Sequence, residues 1–134
     1  MKKFKAYASV FNVQDRQNDI ILPGAYFEIK DNPKKLINLP ILWQHISEKK
    51  IGKVLKIRED YRGLIIYGAL DTNSTTGMDC YLKMKRGIAG VSIGYYPTEF
   101  HQEGNLKYIS KIKLQEISIV TFPANEDARI LALE

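Results

Sequence analysis

A long β-segment runs from residue 107 to residue 122: Lys107-Tyr108-Ile109-Ser110-Lys111-Ile112-Lys113-Leu114-Gln115-Glu116-Ile117-Ser118-Ile119-Val120-Thr121-Phe122. Isoleucine and valine favour a pleated, half-buried surface, and we expect this segment to be bent or split. Glu116 shares a strand face with Leu114 and Ser118 because successive side chains alternate. An acid on a mostly apolar strand is costly to bury unpaired, so Glu116 needs a partner.

The remaining segments predict a mainly β fold with a few helices. Strands are expected at 4–13, 41–44, 51–58, 64–70 and 89–96, with a hairpin loop at 59–63 and a polar turn at 99–106. A short helix is predicted to reach Lys30, and a second covers about 76–85, with Met78, Tyr81, Leu82 and Met84 turned inward. After Pro123 only a short tail follows. This spacing favours a closed or partly open β-barrel over a parallel α/β sheet.

Length and composition favour one globular domain over residues 1–134. No apolar run reaches the roughly 18 residues of a transmembrane helix, and Cys80 alone cannot form an internal disulfide. We therefore expect a cytoplasmic protein without a membrane partner. The net charge of +5 comes from scattered lysines, which we interpret mainly as solvated surface rather than a phosphate-binding stripe.

His45 is the first candidate for chemistry, because it closes the apolar run Leu39-Pro40-Ile41-Leu42-Trp43-Gln44 and precedes a polar stretch. It should lie at a strand end, at the rim of the core. An imidazole there can act as a general base near neutral pH, since its ordinary pKa is about 6.5. The alternative is a structural histidine that bonds a backbone carbonyl.

Ser92 is the second candidate, in the strand-like run Gly90-Val91-Ser92-Ile93-Gly94. Both glycines fall on its strand face, which predicts open space for a substrate beside the hydroxyl. The run resembles the Gly-x-Ser-x-Gly nucleophile elbow, but that elbow needs a helix after the serine, and here strand residues follow. The alternative is a strand serine packed beside a bulge.

Glu116 completes a serine, imidazole and carboxylate set on three β-segments, which is what nucleophilic hydrolysis requires. Its partner is either His45 or, in a purely structural role, Lys111 or Lys113. Cys80 is interpreted as core filler inside a helix, and His101 as an exposed residue in a polar turn. No Cys/His pair has zinc-ligand spacing, and we expect no cofactor and no metal.

The order of several short stretches resembles the prohead (capsid-maturation) proteases of tailed bacteriophages, relatives of the herpesvirus assembly proteases. The stretches occur in family order from about Phe4 to Ala128: Asp19-Ile20-Ile21-Leu22-Pro23-Gly24-Ala25-Tyr26, Leu42-Trp43-Gln44-His45, Ile51-Gly52-Lys53-Val54, Gly90-Val91-Ser92-Ile93-Gly94-Tyr95 and Glu116-Ile117-Ser118-Ile119-Val120-Thr121-Phe122-Pro123-Ala124-Asn125. A single stretch would be weak evidence for this family, but all of them in this order are fairly specific to it.

The resemblance implies a serine endopeptidase on a herpesvirus-protease-like β-barrel. It makes Ser92 the nucleophile, His45 the base and Glu116 the third member, a position where herpesvirus relatives use a second histidine. Backbone N–H groups of residues 121–125 are our candidates for binding the oxyanion.

The resemblance also implies where such a protein acts and on what. Family members work in the host cytoplasm inside the immature capsid, trimming the scaffold protein or the scaffold-like part of the major capsid protein, and they often cleave themselves. A homo-oligomer is possible, and no specific nucleic acid is expected. Two alternatives stay open: a non-catalytic capsid-assembly or scaffold factor, and a basic β-barrel that binds nucleic acid.

Overall fold

A computed structural model describes residues 1–134 and is mostly β, with 54% of residues in strands and 14% in helices. None of its helices has the length and apolar character needed to cross a bilayer. In chain order the elements are β1 Lys2–Val10, β2 Asp19–Ile21, α1 Glu28–Asp31, α2 Pro33–Leu36, β3 Pro40–Trp43, β4 Ile46–Glu59, β5 Gly63–Leu70, α3 Thr75–Lys85, β6 Gly90–Glu103, β7 Leu106–Val120 and β8 Arg129–Leu133.

All eight strands join one curled sheet in the order β2-β7-β3-β4-β5-β1-β8, and β6 pairs with β7. The sheet curls into a half-barrel, which confirms the predicted mainly β, partly open barrel. β7 is the strand that organises the sheet. It pairs with β6 in antiparallel fashion along nearly its whole length, and it also pairs in parallel with β2 and β3. Two segments distant in sequence, β2 and β3, therefore meet the same strand as the hairpin partner β6.

The core includes residues from most strands and from α3. β5 supplies three residues with no measurable exposure, Leu64, Ile66 and Leu70, and it sits between β4 and β1 in the sheet. From β7, Ile112, Ile117 and Ile119 are equally buried. Burying apolar side chains contributes about 25 cal/mol per Å² removed from water, so this shared core fixes β7 as a rigid support.

Helix α3 begins and ends where the sequence predicts. Ser74 caps it by accepting a hydrogen bond from the Gly77 N–H at 2.9 Å. Gly87 follows it with a φ of +71°, a conformation that suits glycine at a helix end. The expectation that Met78 and Leu82 point inward is wrong, since they are 39% and 48% exposed. The buried stripe consists instead of Gly77, Cys80, Tyr81 and Met84 at i, i+3, i+4 and i+7.

The polar turn predicted at 99–106 is also wrong. Residues 99–103 continue β6, and only Gly104 and Asn105 form the turn to β7. Continuous pairing with β7 gives these polar residues backbone partners, so the local composition does not end the strand. β7 itself is one unbroken strand. The irregularities of the pairing lie between β6 and β7, near Gly94 and around Pro97 and Glu99.

Three further boundaries differ from the sequence prediction. β4 starts at Ile46, directly after a two-residue turn, although residues 47–50 are polar. The short tail contains β8, which pairs with β1. β1 ends at Val10 rather than residue 13. For β4 and β8 a neighbouring strand supplies hydrogen bonds that composition alone does not reveal, whereas the pairing of β1 with β5 stops at Val10.

Candidate active site

His45 lies in a tight turn between β3 and β4. Trp43 pairs with Ile46, so the loop contains only Gln44 and His45, whose φ angles are +52° and +59°. Positive φ at both loop positions is the feature of a type I′ hairpin turn. Non-glycine residues seldom adopt this conformation, and they keep it only where surrounding contacts enforce it. The predicted strand at 41–44 therefore ends one residue early.

Four hydrogen bonds tie this turn to the end of β7. The Gln44 side-chain amide donates to Thr121 Oγ1 at 2.7 Å, and its oxygen accepts from the Thr121 N–H at 3.1 Å. The Gln44 N–H donates to the Ile119 carbonyl at 3.0 Å. The His45 N–H donates to Ser118 Oγ at 3.1 Å. These contacts fix the direction in which the imidazole leaves the backbone.

The imidazole of His45 contacts the carboxylate of Glu116, as the sequence analysis allowed. His45 Nδ1 lies 2.5 Å from Glu116 Oε1, and the Ser118 hydroxyl donates to Glu116 Oε2 at 2.6 Å. The lysine alternative fails for Lys111, whose ammonium pairs with Glu99 at 3.0 Å. The hydrogen bond to Glu116 raises the pKa of His45, and partial burial offsets part of that rise.

Gly94 provides the space that the Glu116 carboxylate occupies. The two residues are paired across β6 and β7, and a Cβ on Gly94 would lie 2.1 Å from Glu116 Oε1. The expectation that the glycines beside Ser92 leave open space for a substrate is therefore wrong. The carboxylate fills the position beside Gly94, and a Cβ on Gly90 would lie 2.6 Å from the Pro123 ring.

Ser118 was missed as a functional residue by the sequence analysis. It is fully buried, and its one hydroxyl both receives the His45 N–H and donates to Glu116. The available signal was its spacing, because it lies two residues from Glu116 and therefore on the same strand face. Its partner in the fold, the His45 turn, could not be identified without the sheet order.

Ser92 lies on β6 directly opposite Ser118 and is 5% exposed. Its hydroxyl forms no hydrogen bond with another protein group, and it opens, together with His45, into one cavity of about 620 Å³. Since Nδ1 of His45 is engaged by Glu116, Nε2 is the ring nitrogen left to act on a hydroxyl. In free enzymes this contact is often long and tightens only when substrate binds.

The segment after β7 lines the same cavity and offers backbone donors. The N–H of Thr121 is used by Gln44, whereas those of Phe122, Ala124 and Asn125 donate to no acceptor in the chain. Asn125 holds the segment in place: its amide donates to the Val10 carbonyl at 3.0 Å. Unpaired N–H groups at a cavity wall can stabilise a negatively charged oxygen.

Two aspartates, Asp15 and Asp19, also line the cavity. Burial raises the pKa of Asp15, whose carboxylate accepts hydrogen bonds from the N–H groups of Gln17 and Asp19. The Tyr95 hydroxyl donates to Asp19 Oδ2 at 2.5 Å. The sequence alone predicts no role in the candidate site for residues 15–19. They border the candidate site because β2 pairs with β7.

Two other reactive side chains lie outside this cavity. Cys80 is buried in α3, and burial raises the pKa of its thiol to about 12, which leaves it protonated at neutral pH. His101 lies on the distal part of β6, with 70% of its side chain exposed. It is exposed as expected, although it belongs to a strand rather than a turn.

Comparison with known proteins gives consistent matches. Residues 1–134 match the sequence profile of a family described as Caudovirus prohead serine protease. A prohead protease of Enterobacteria phage HK97 is 34% identical over 136 residues, which cover 98% of this chain and 60% of the relative. A capsid polyprotein of Pseudomonas phage PAJU2 is 29% identical over 131 residues, covering 90% of this chain and 18% of that protein.

A crystal structure of the KSHV protease in complex with a hexapeptide phosphonate inhibitor has the same fold. Its TM-score is 0.59 with 14% sequence identity, and the match covers 92% of this chain and 61% of that one. This likeness confirms the predicted herpesvirus-protease-like architecture. The chain spans about 60% of the length of the HK97 relative.

Proposed function

The chain belongs to the caudovirus prohead serine protease family, and on that premise we propose that residues 1–134 form one serine endopeptidase domain with Ser92 as nucleophile, His45 as base and Glu116 as the group that orients the base. The observation that carries this assignment is the contact of His45 Nδ1 with Glu116 Oε1, held by Ser118, in the cavity that also contains the Ser92 hydroxyl. A base oriented by a third group is the arrangement that activates a serine.

In the first step Ser92 Oγ attacks the carbonyl carbon of the peptide bond while His45 Nε2 takes the hydroxyl proton. Glu116 keeps the remaining proton on Nδ1 and stabilises the imidazolium that forms. The negative charge that develops on the carbonyl oxygen is met by backbone N–H groups of Phe122, Ala124 or Asn125. His45 then donates its proton to the leaving amine, which departs and leaves an ester on Ser92.

In the second step a water molecule attacks the ester carbonyl. His45 accepts one proton of the water, and the collapse of the second tetrahedral intermediate returns that proton to Ser92 Oγ. Water must reach the ester after the amine leaves. The His45 side chain is 44% exposed, so water has access to the base.

We propose that the substrate is the scaffold protein or a scaffold-like segment of the major capsid protein, cut inside the prohead in the host cytoplasm, and that the protease also cleaves itself. The match to part of a capsid polyprotein supports this choice, because there a region similar to this chain is carried in a protein named for the capsid.

The test is labelling with a fluorophosphonate probe followed by mapping of the labelled residue, together with cleavage of the cognate capsid or scaffold protein. Ser92→Ala should abolish both. Ser110→Ala is the matched control, because Ser110 lies on the same β-hairpin but its hydroxyl bonds only the Glu99 carbonyl. Cleavage that persists in Ser92→Ala, or a label on another serine, would contradict the assignment of Ser92 as the nucleophile. The absence of both labelling and cleavage in the wild-type protein would favour the non-catalytic assembly factor.

A further inference from the structure

A second cavity, of about 780 Å³, opens beside the candidate active site. It lies between the end of α3, the start of β6, the segment after β7 and strand β8. We call it the Phe122 groove. Its lining consists of Met84, Lys85, Gly87, Ile88, Ala89, Gly90, Thr121, Phe122, Pro123, Ala128, Arg129, Ile130 and Leu133.

The Phe122 groove adjoins the active-site cavity. Phe122 lines both cavities and is 73% exposed. Gly90 lines the groove and lies on the same strand as Ser92, two residues away. Since a strand rises about 3.3 Å per residue, the groove begins roughly 7 Å from the Ser92 backbone. An extended peptide that crosses Ser92 therefore reaches the groove within about two residues of the bond that is cut.

The chemistry of the groove differs from that of the active-site cavity. Its apolar surface includes Ile88, which is 54% exposed, besides Phe122. Its only charged residues are Lys85 and Arg129, and neither forms an ion pair within the chain. No aspartate or glutamate lines it. The Lys85 ammonium lies 5.5 Å from the centre of the Tyr81 ring, but neither cation has a carboxylate partner. An exposed apolar surface bordered by such cations fits a ligand that combines an apolar side chain with a carboxylate.

We propose that the Phe122 groove is a substrate subsite that binds an apolar residue adjacent to an acidic residue, about two positions from the scissile bond. The proposal rests on the proposed protease function, because the occupant is the peptide being cleaved. Ile88 and Phe122 contact the apolar side chain, and Lys85 and Arg129 bind the carboxylate. The groove thus selects which peptide bonds reach Ser92.

The test measures binding and does not depend on turnover. ¹⁵N-labelled Ser92→Ala protein is titrated with the octapeptide Gly-Gly-Ser-Leu-Glu-Ser-Gly-Gly and with versions in which Leu is replaced by Ser or Glu by Lys. The Leu-Glu peptide should shift the amide signals of Ile88, Gly90 and Arg129, and each altered peptide should bind about tenfold more weakly. Equal affinities for the three peptides, or shifts confined to other surfaces, would overturn the proposal.

Charge reversal in the groove provides a second readout. Lys85→Glu with Arg129→Glu should invert the preference, so that the Leu-Lys peptide binds better than the Leu-Glu peptide. Both residues are exposed, so the variant should fold. Lys49→Glu, an exposed charge reversal on β4 outside the groove, should keep the original preference. An unchanged preference in the groove variant would refute the roles of Lys85 and Arg129.

Fluorophosphonate labelling separates this proposal from the protease assignment. In protein that retains Ser92, the small probe needs only the serine and its base, so charge reversal in the groove should change the labelling rate less than twofold. Labelling at Ser92 with no peptide preference would refute the subsite alone. Peptide preference without labelling at Ser92 would refute the proposed catalytic role and leave the groove as a peptide-binding site.

Discussion

The two histidines of the chain each contact a glutamate, one pair near each end of the β6–β7 hairpin. His45 lies 2.5 Å from Glu116, a residue 71 positions away, near the open end of the hairpin and far from its turn. His101 lies 3.0 Å from Glu103, two positions away on the exposed distal end of the same hairpin. Both pairs have a histidine nitrogen within hydrogen-bond distance of a glutamate oxygen. Such a contact by itself therefore does not identify a catalytic site.

The difference lies in what surrounds each pair. The Glu116 side chain is 13% exposed and is held by Ser118, whereas the Glu103 side chain is 64% exposed and accepts no other hydrogen bond. The His45 backbone is fixed by the turn contacts to β7, while His101 lies on a strand open to solvent. A base is useful for catalysis when its direction is set before the substrate arrives. That condition is met only at His45.

The largest expected effect comes from removing each histidine. His45→Ala should lower the rate of fluorophosphonate labelling at Ser92 by about 10³-fold, because the hydroxyl loses its general base. His101→Ala should leave the rate unchanged, since its ring reaches only Glu103 on an exposed surface. The measurement is the second-order labelling rate at pH 8. Equal rates for wild type and His45→Ala would show that the His45–Glu116 pair has no catalytic function.

A smaller but more specific effect is expected at Gly94. Gly94→Ala places a methyl group where Glu116 Oε1 lies and should displace the carboxylate from His45. Misplacing a catalytic group by about 1 Å can cost roughly 10²-fold, and we expect a loss of that size in labelling rate.

Gly104→Ala is the control for general destabilisation. Gly104 has a φ of +59°, so alanine there costs about 1 kcal/mol in folding stability, but it lies at the distal turn. This variant should label at the wild-type rate while melting at a lower temperature. A Gly94→Ala enzyme that labels as fast as Gly104→Ala would mean that the close packing against Glu116 has no role in activity.

The sequence predicts the fold class for identifiable reasons, and it shows that Glu116 needs a partner while leaving His45, Lys111 and Lys113 as the candidates. A continuous apolar run marks β5, alternating apolar residues mark β7, and an acid on an apolar strand signals that Glu116 needs a partner. What it does not show is which strands become neighbours. β3 and β7 are distant in the chain and pair in parallel. That pairing, which brings the His45 turn against Ser118, depends on the whole sheet.

The same limit explains the errors at Gly94 and along the distal hairpin. A glycine beside a serine indicates only that a side chain is missing, and the structure is needed to show that the Glu116 carboxylate occupies the space. Polar residues 99–103 have the composition of a turn, yet pairing with β7 keeps them in a strand. Local sequence patterns thus predict strands well where burial of apolar side chains enforces the strand. They predict strands poorly where hydrogen bonds to a partner strand enforce it.

The smallest expected effect concerns protonation, and it distinguishes the pairs without any substrate. NMR titration of the two histidine ring signals should give His45 a pKa above the ordinary value of about 6.5, because Glu116 accepts a hydrogen bond from its ring. Glu116→Gln should lower that pKa, while Glu103→Gln should leave the His45 signal as it is in wild type. If the His45 pKa were the same in wild type and Glu116→Gln, the short contact would not govern its protonation.

The raised pKa of His45 also makes the free energy of unfolding depend on pH. A folded-state pKa above the unfolded value stabilises the fold fully below the unfolded pKa, and the gain is lost as pH rises through the folded pKa. The stability difference between wild type and Glu116→Gln should therefore be larger at pH 5.5 than at pH 8.5. The imidazole is 44% exposed, so solvent screening should limit this pH-dependent part to below about 1 kcal/mol in chemical denaturation.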